Sequence, residues 1–142
     1  RILEDFLGFS RVDGAFLVGA GSLGCALLQD KGLSAFGLQI EAAFDTDKTK
    51  IGTKVNDIEI FHIDQFRAMA AERKVVIGII TVPAEHAQNV ADLMVAWGIK
   101  AIWNFTPARI KVPTHIVVQN TTIYMNLAIL FNKLYNDKGE KK

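Results

Sequence analysis

Three glycines stand where an apolar run gives way to a helical pattern. The stretch FLVGAGSLGCAL, Phe16 to Leu27, spaces Gly19, Gly21 and Gly24 as G-x-G-x-x-G. The residues before it read as a buried strand, and Ser22 to Lys31 reads as a helix. A strand that turns through glycines straight into a helix is the opening unit of an open α/β sheet. Each glycine has a separate task in such a turn. Gly19 permits the sharp bend. Gly21 clears space for a pyrophosphate to approach the backbone. Gly24 lets helix and strand pack closely. The loop residues Ala20, Ser22 and Leu23 then lie at the positive end of the helix, where backbone N–H groups attract anions. A tight turn with no ligand is the plainer alternative.

The rest of the chain alternates in the same way. LQIEAAFD reads as a second strand that ends at Asp45, and a polar connection follows, with a short strand at Ile58 to Phe61. A helix is expected from Asp64 to Glu72, with Asp64 as its N-cap. VVIGIITV is rich in β-branched residues and reads as a strand buried on both faces. Pro83 suits the first position of the next helix, which runs to about Trp97 and stops at Gly98. IKAIWNF and HIVVQ supply two further strands, and Thr121 to Tyr135 a last helix. A first helix over RILEDFLGF precedes them all. The expected fold is α/β, a doubly wound parallel Rossmann sheet with a C-terminal helix.

At 142 residues, half of them hydrophobic, the chain has the material for one domain and a real core. The expected organisation is a linker helix over 1–13, a Rossmann core over 14–120 and a C-terminal helix over 121–135. The net charge of +1 shows none of the cationic excess of an isolated DNA-binding surface. No apolar run reaches the ~20 residues of a membrane span. The one cysteine, Cys25, cannot form an internal disulfide and reads as a small packing residue on the first turns of the helix.

An acidic residue follows the glycine loop at the spacing such loops require. A carboxylate at the end of the second strand, Asp45, can accept hydrogen bonds from both hydroxyls of an adenosine ribose and repels a 2′-phosphate. That favours NAD over NADP, although Lys48 is a nearby cation. Thr81, Val82 and Pro83 end the third long strand, and Asn104 and Phe105 the fourth. Ligands of open α/β sheets bind at the carboxyl ends of strands, so Thr81, Val82 and Asn104 are candidate walls. Catalytic groups are harder to find. Neither Tyr124 nor Tyr135 has a lysine four positions later, and His62, His86 and His115 stand apart with no metal-ligand spacing. The residues read as a dinucleotide-binding sensor or module with no enzymatic chemistry.

The last helix is apolar on two sides. Ile123, Leu127, Leu130, Phe131 and Leu134 form one stripe, and Tyr124, Met125, Ala128, Ile129 and Tyr135 another. One stripe can cover the parent sheet, and the second calls for another surface, most economically a partner subunit.

Several stretches carry a family resemblance: FLVGAGSLGCAL, FDTDKTKIGTKVNDIEIFHIDQF, TVPAEHAQNVADLMVAWGIKAIWNFTPARIKVP and VVQN. Together they resemble the C-terminal domain of Rex-type redox-sensing transcriptional repressors. The resemblance implies an NAD(H)-binding sensor domain in the cytoplasm. It implies a homodimer that exchanges its C-terminal helix, and DNA contact through an upstream winged helix, with RILEDFLGFSRVD as the joining segment. It implies Gly19 to Gly24 as the dinucleotide loop, Asp45 as the ribose acid, and Thr81, Val82, Pro83, Asn104 and Phe105 beside the nucleotide. Asp30 stands where the family has tyrosine, and Thr122 where it has aspartate, at two positions implied in coupling ligand to partner. The glycine framework also resembles CoA-binding and sugar-nucleotide-binding modules, and a fragment of an oxidoreductase is a further alternative.

Overall fold

A computed structural model of the chain describes residues 13–29 and 38–121. The expected helix over 1–13, the helix over 121–135, Asp30, Thr122 and the last residues of the first core helix lie outside the described residues.

Strand β1 (Asp13–Val18) leads through the glycine loop into helix α1 (Ser22–Gln29), and β2 (Leu38–Asp45) follows. A short hairpin, β3 (Lys54–Val55) and β4 (Ile58–His62), precedes helix α2 (Phe66–Arg73). Then come β5 (Ile77–Ile80), α3 (Ala84–Ala96), β6 (Ala101–Asn104) and β7 (Val117–Asn120). The strands form one seven-stranded sheet in the order β3-β4-β2-β1-β5-β6-β7. Only the β3–β4 pairing is antiparallel. The order reverses at β1: the chain moves outward to β2 and β4, then returns to β5 on the other side. That is a topological switch point, the place where open sheets leave a crevice beyond their strand ends.

Two cores flank the sheet, as a parallel sheet buried on both faces requires. Leu27 and Leu28 of α1 lie with Ala15, Leu17, Ala43, Ile77 and Ile79 on one face. Phe66 and Ala70 of α2 and Ala87, Ala91 and Met94 of α3 lie with Phe16, Phe44, Ile80 and Ile102 on the other. Phe66 is the hub of the second core. Its ring lies 5.3 Å from Phe16, 4.9 Å from Phe44 and 5.4 Å from Trp97. The connection from β6 to β7 runs along this face. Gln88 of α3 holds it, accepting from the Lys111 N–H at 2.7 Å and donating to the Lys111 carbonyl at 2.8 Å.

A β-bulge in β2 decides the face on which that strand ends. Ala15 pairs with Ile40, but Phe16 pairs with Ala42, so Glu41 is an extra residue. Before the bulge, Leu38 and Ile40 face α1. After it, Ala42 and Phe44 face α2 and α3, and Ala43 faces α1. The phase slip therefore puts Asp45 on the α1 face, with the glycine loop. Gly14 leaves room for the displaced side chain: a Cβ there would sit 1.9 Å from Glu41 Oε2.

Three local expectations need correction. The helix expected from Asp64 splits into a 3-10 turn, Ile63–Gln65, and α2 from Phe66. Asp64 is not the cap. His62 takes that role, its Nδ1 accepting from the Asp64 N–H at 3.0 Å. An imidazole lone pair at the end of β4 sits two residues from the amide, the reach a cap needs. Pro83 sits at the N-cap of α3 rather than inside its first turn. Finally, the strand expected at Ile58 to Phe61 is one arm of a hairpin whose other arm the sequence reading missed. Asn56 and Asp57 turn it with φ of 53° and 66°, the paired left-handed residues of a type I′ turn.

Truncating the aromatic hub should be costly and local. We expect Phe66→Ala to lower stability by about 3–5 kcal/mol, the range for deleting a buried phenylalanine. Urea unfolding should show a lower midpoint with an unchanged slope.

Candidate functional site

The glycine loop is held from both neighbouring strands. Gly19 donates its N–H to the Phe44 carbonyl of β2 at 2.9 Å. Its φ is +109°, and a Cβ would lie 2.8 Å from the backbone of Thr81 and Val82. Glycine is thus needed here both for conformation and for the close approach of β5. Gly24 meets the loop from the helix side, where a Cβ would lie 1.8 Å from the Gly19 carbonyl oxygen.

Gly21 differs from both. A Cβ there would meet nothing within 4 Å. Its carbonyl accepts from the Cys25 N–H at 2.9 Å, the opening bond of α1. The amides of Ser22, Leu23 and Gly24 therefore precede the first bond of the helix and carry its partial positive charge. Gly21 and Ser22 are exposed, Leu23 is half-buried, and Ala20 is fully buried. Open space beside exposed first-turn amides is what an anion on this loop requires. Cys25 donates its thiol to the Ala20 carbonyl at 3.3 Å.

Asp45 closes the loop on the β2 side. Its Oδ2 accepts from the Ala20 N–H at 2.8 Å, and its Oδ1 from the Thr46 and Asp47 N–H groups at 2.7 and 3.0 Å. A carboxylate offers about four lone-pair sites. Among the described residues three are taken, which leaves one on Oδ2. The sequence pointed to both ribose hydroxyls on this acid; the geometry has one position open beside the loop. Beyond it, Asp47 turns the chain. Its Oδ1 accepts from the hydroxyl of Thr49 at 2.7 Å and from the Thr49 N–H at 2.9 Å. The Thr49 hydroxyl, then its N–H, hold the Asp47 carboxyl below the usual carboxylate range, and the charge of Lys50 adds to them.

The remaining expected residues lie at or just beyond the ends of β5 and β6, beside the switch point. Thr81 is buried, and its hydroxyl lies 2.7 Å from the Gly19 carbonyl and 3.0 Å from the Val18 carbonyl. It braces the loop from β5. Val82 is half-buried behind Gly19, and Pro83 is exposed at the start of α3. Asn104 is fully buried. Its amide donates to the Ala108 carbonyl and to Asn120 Oδ1, both at 2.9 Å, and accepts from the Thr106 N–H and hydroxyl. Those bonds saturate it and knit the ends of β6 and β7 together. Phe105 is buried with its ring 5.0 Å from that of Trp103. The Trp103 indole N–H in turn donates to the Thr121 hydroxyl, a bond that sequence reasoning missed. Among the described residues no group of three or more His, Cys, Asp or Glu side chains could hold a metal ion. No helix among them is long and apolar enough to cross a membrane.

Residues 13–108 match the family model described as a CoA binding domain. A redox-sensing transcriptional repressor Rex of Bacteroides fragilis is 59% identical over 133 residues, which cover 94% of this chain and 60% of that protein. A Rex of Porphyromonas gingivalis is 53% identical, with 94% of this chain and 61% of that protein covered. The chain thus spans about 60% of the length of these curated relatives. Among solved structures, RSP, a Rex-family repressor, superposes with a TM-score of 0.78 at 31% identity, over 99% of this chain and 67% of that one. The same repressor with β-NADH gives 0.78 at 31% identity, over 99% and 68%. A UDP-D-quinovosamine 4-dehydrogenase of Vibrio fischeri shares the fold alone, at 15% identity and a TM-score of 0.54, over 64% of this chain and 75% of that one.

Gly24, packed against the loop backbone, and Gly21, beside open space, make opposite predictions. Gly24→Ala should cost about 1–3 kcal/mol, because the methyl group must displace backbone. Gly21→Ala should stay within about 0.5 kcal/mol of the parent, as an exposed change does. Paired thermal and urea unfolding of the two variants checks this.

Proposed function

The chain belongs to the Rex family of redox-sensing transcriptional repressors, and from that membership we propose that it is the NAD(H)-binding sensor domain of such a repressor. The observation that carries the reading is the joint geometry of Gly21 and Asp45. Gly21 has open space above the first-turn helix amides, and Asp45 keeps one acceptor position beside them that no described residue fills. The loop from Gly19 to Gly24, with Ala20, Ser22 and Leu23, takes the pyrophosphate on its backbone amides. The free position on Asp45 takes a ribose hydroxyl and disfavours a 2′-phosphate. Val82 and Pro83 edge the crevice, while Thr81, Asn104 and Phe105 hold its walls in register. RSP in complex with β-NADH, and with β-NAD+ and operator DNA, supports this assignment by similarity.

In the full-length protein, on this reading, operator DNA is met by a domain upstream of the described sheet, in the cytoplasm. The role is regulatory rather than enzymatic, in keeping with the repressor names of the relatives. Two copies pair through the segment from 121 to 135, whose second apolar stripe needs a cover. A second reading, CoA as ligand, is favoured by the description of the matching family model.

Calorimetric titration separates the two. We expect NADH and NAD+ to bind one per chain, and CoA, NADPH and nucleotide sugars to bind far more weakly. Gly21→Val should abolish NADH binding and keep the melting temperature, since its side chain fills the space a pyrophosphate needs. Unchanged NADH affinity in that variant, or tighter binding of CoA by the parent, would overturn the assignment.

The dimer has its own test. Light scattering coupled to size exclusion should give twice the chain mass. A chain truncated before Thr121 should lose that mass or aggregate, because each buried aliphatic side chain contributes about 1.5–3 kcal/mol. A concentration-independent monomer would contradict the pairing.

A further inference from the structure

His62 ends β4 directly beside the acid that ends β2. The two strands run parallel, and Asp45 and His62 are register partners. Paired residues in adjacent strands lie about 4.8 Å apart along the hydrogen-bonding direction. They also share a face. Ala43 and Ile60, two residues back on each strand, both belong to the core under α1, while Phe44 and Phe61 belong to the opposite one. Alternation therefore brings Asp45 and His62 out together on the side of the glycine loop. The bulge at Glu41 makes this pairing possible, since without it Asp45 would end on the far face.

The capping bond fixes which nitrogen of the imidazole is open. Nδ1 accepts the Asp64 N–H at 3.0 Å, which leaves Nε2–H as the donor of the ring. Asp64 Oδ2 lies 3.4 Å from the same Nδ1, and the imidazole is 40% exposed. Nε2–H is bonded to no other described residue. An imidazole with one nitrogen locked into the backbone and the other a donor without a partner among the described residues is oriented before any ligand arrives.

The sheet order, together with the reading of Asp45 as the ribose acid, assigns one half of a dinucleotide to this side. The glycine loop stands over β1. β2 and β4 lie on one side of it, and β5, β6 and β7 on the other. A pyrophosphate on the loop sends one nucleoside over each side. A ribose on Asp45 puts the adenosine over β2 and β4, where His62 ends the next strand outward. We propose that His62 is a binding residue for the adenosine half of the nucleotide, donating Nε2–H to an acceptor of the adenosine. This rests on the NAD(H) reading above and adds a contact that the glycine motif and its acid do not include.

Substitution can part the cap from the ligand contact. Asparagine keeps a short acceptor for the Asp64 amide and has no donor at the reach of Nε2. We expect His62→Asn to melt at the parent temperature and to bind NADH and ADP-ribose about three- to tenfold more weakly, the effect of one neutral hydrogen bond. Reduced nicotinamide mononucleotide, which lacks the adenosine, should bind both proteins alike. Parent affinity of His62→Asn for NADH and ADP-ribose would overturn the proposal, as would an equal loss for the mononucleotide. Should the asparagine variant fail to fold, His62→Gln and His62→Ala replace it. Glutamine, with an N–H at about the reach of Nε2, should keep more ADP-ribose affinity than alanine, and equal losses would overturn the proposal. A parent chain that binds neither NADH nor ADP-ribose would instead remove the nucleotide reading on which His62 depends.

Discussion

The bond from the Ala20 N–H to Asp45 Oδ2, 2.8 Å long, ties the glycine loop to the neighbouring strand. It can form only if β2 ends on the face where the loop emerges, and the bulge at Glu41 arranges that. From the other side Thr81 holds the carbonyl end of the same loop. The loop is thus clamped between β2 and β5 by one acceptor and one donor. Each is a side chain whose own strand is fixed by a buried core. A charged acceptor on a backbone amide is among the stronger hydrogen bonds a fold can make. The first-turn amides of Ser22 and Leu23, proposed above to hold an anion, are consequently presented by a rigid turn that would need little reordering when a ligand binds.

The sheet supplies the rest of the arrangement by its order alone. Reversal at β1 opens a crevice at the strand ends, and the two cores keep those ends level. The Phe16–Phe44–Phe66 cluster anchors β1, β2 and α2. Asn104 does for β6 and β7 what Asp45 does for β1 and β2. Its saturated amide joins the strand end to Asn120 and to the turn at Thr106 and Ala108. Buried, fully satisfied polar groups of this kind specify one geometry, because any alternative strands a donor or an acceptor out of reach of water. The Trp103–Thr121 bond carries the same ordering to the point where the chain leaves the sheet.

Much of this was legible in the sequence, for definite reasons. Gly19 and Gly24 sit where a side chain would strike backbone, so the constraint shows directly as a residue type. The buried parallel strands show as β-branched runs, because both of their faces are apolar. Asp45 was legible by position, but its face was not. LQIEAAFD fits either phase of alternation, and only pairing with β1 reveals that Glu41 is extra. Nor was the cap at His62, since carboxylates are the commoner caps and Asp64 stood two residues on. The hairpin was within reach: Asn56 and Asp57, two turn-forming residues between Val55 and Ile58, are a signal for a two-residue loop. The Asn104 network stayed hidden because its partners lie up to 16 residues away. The helix from 121 to 135 and the positions Asp30 and Thr122 fall outside the described residues.

Family membership and site geometry support the proposal that an anionic dinucleotide lies across the loop with its adenosine on the Asp45 side. A crystal structure of the chain grown with NADH tests it most directly. The account predicts pyrophosphate oxygens within hydrogen-bond distance of the Ser22 and Leu23 amides and a ribose hydroxyl on Asp45 Oδ2. Nucleotide density elsewhere on the chain, or a dinucleotide lying in the opposite sense with its nicotinamide over β2 and β4, would contradict it.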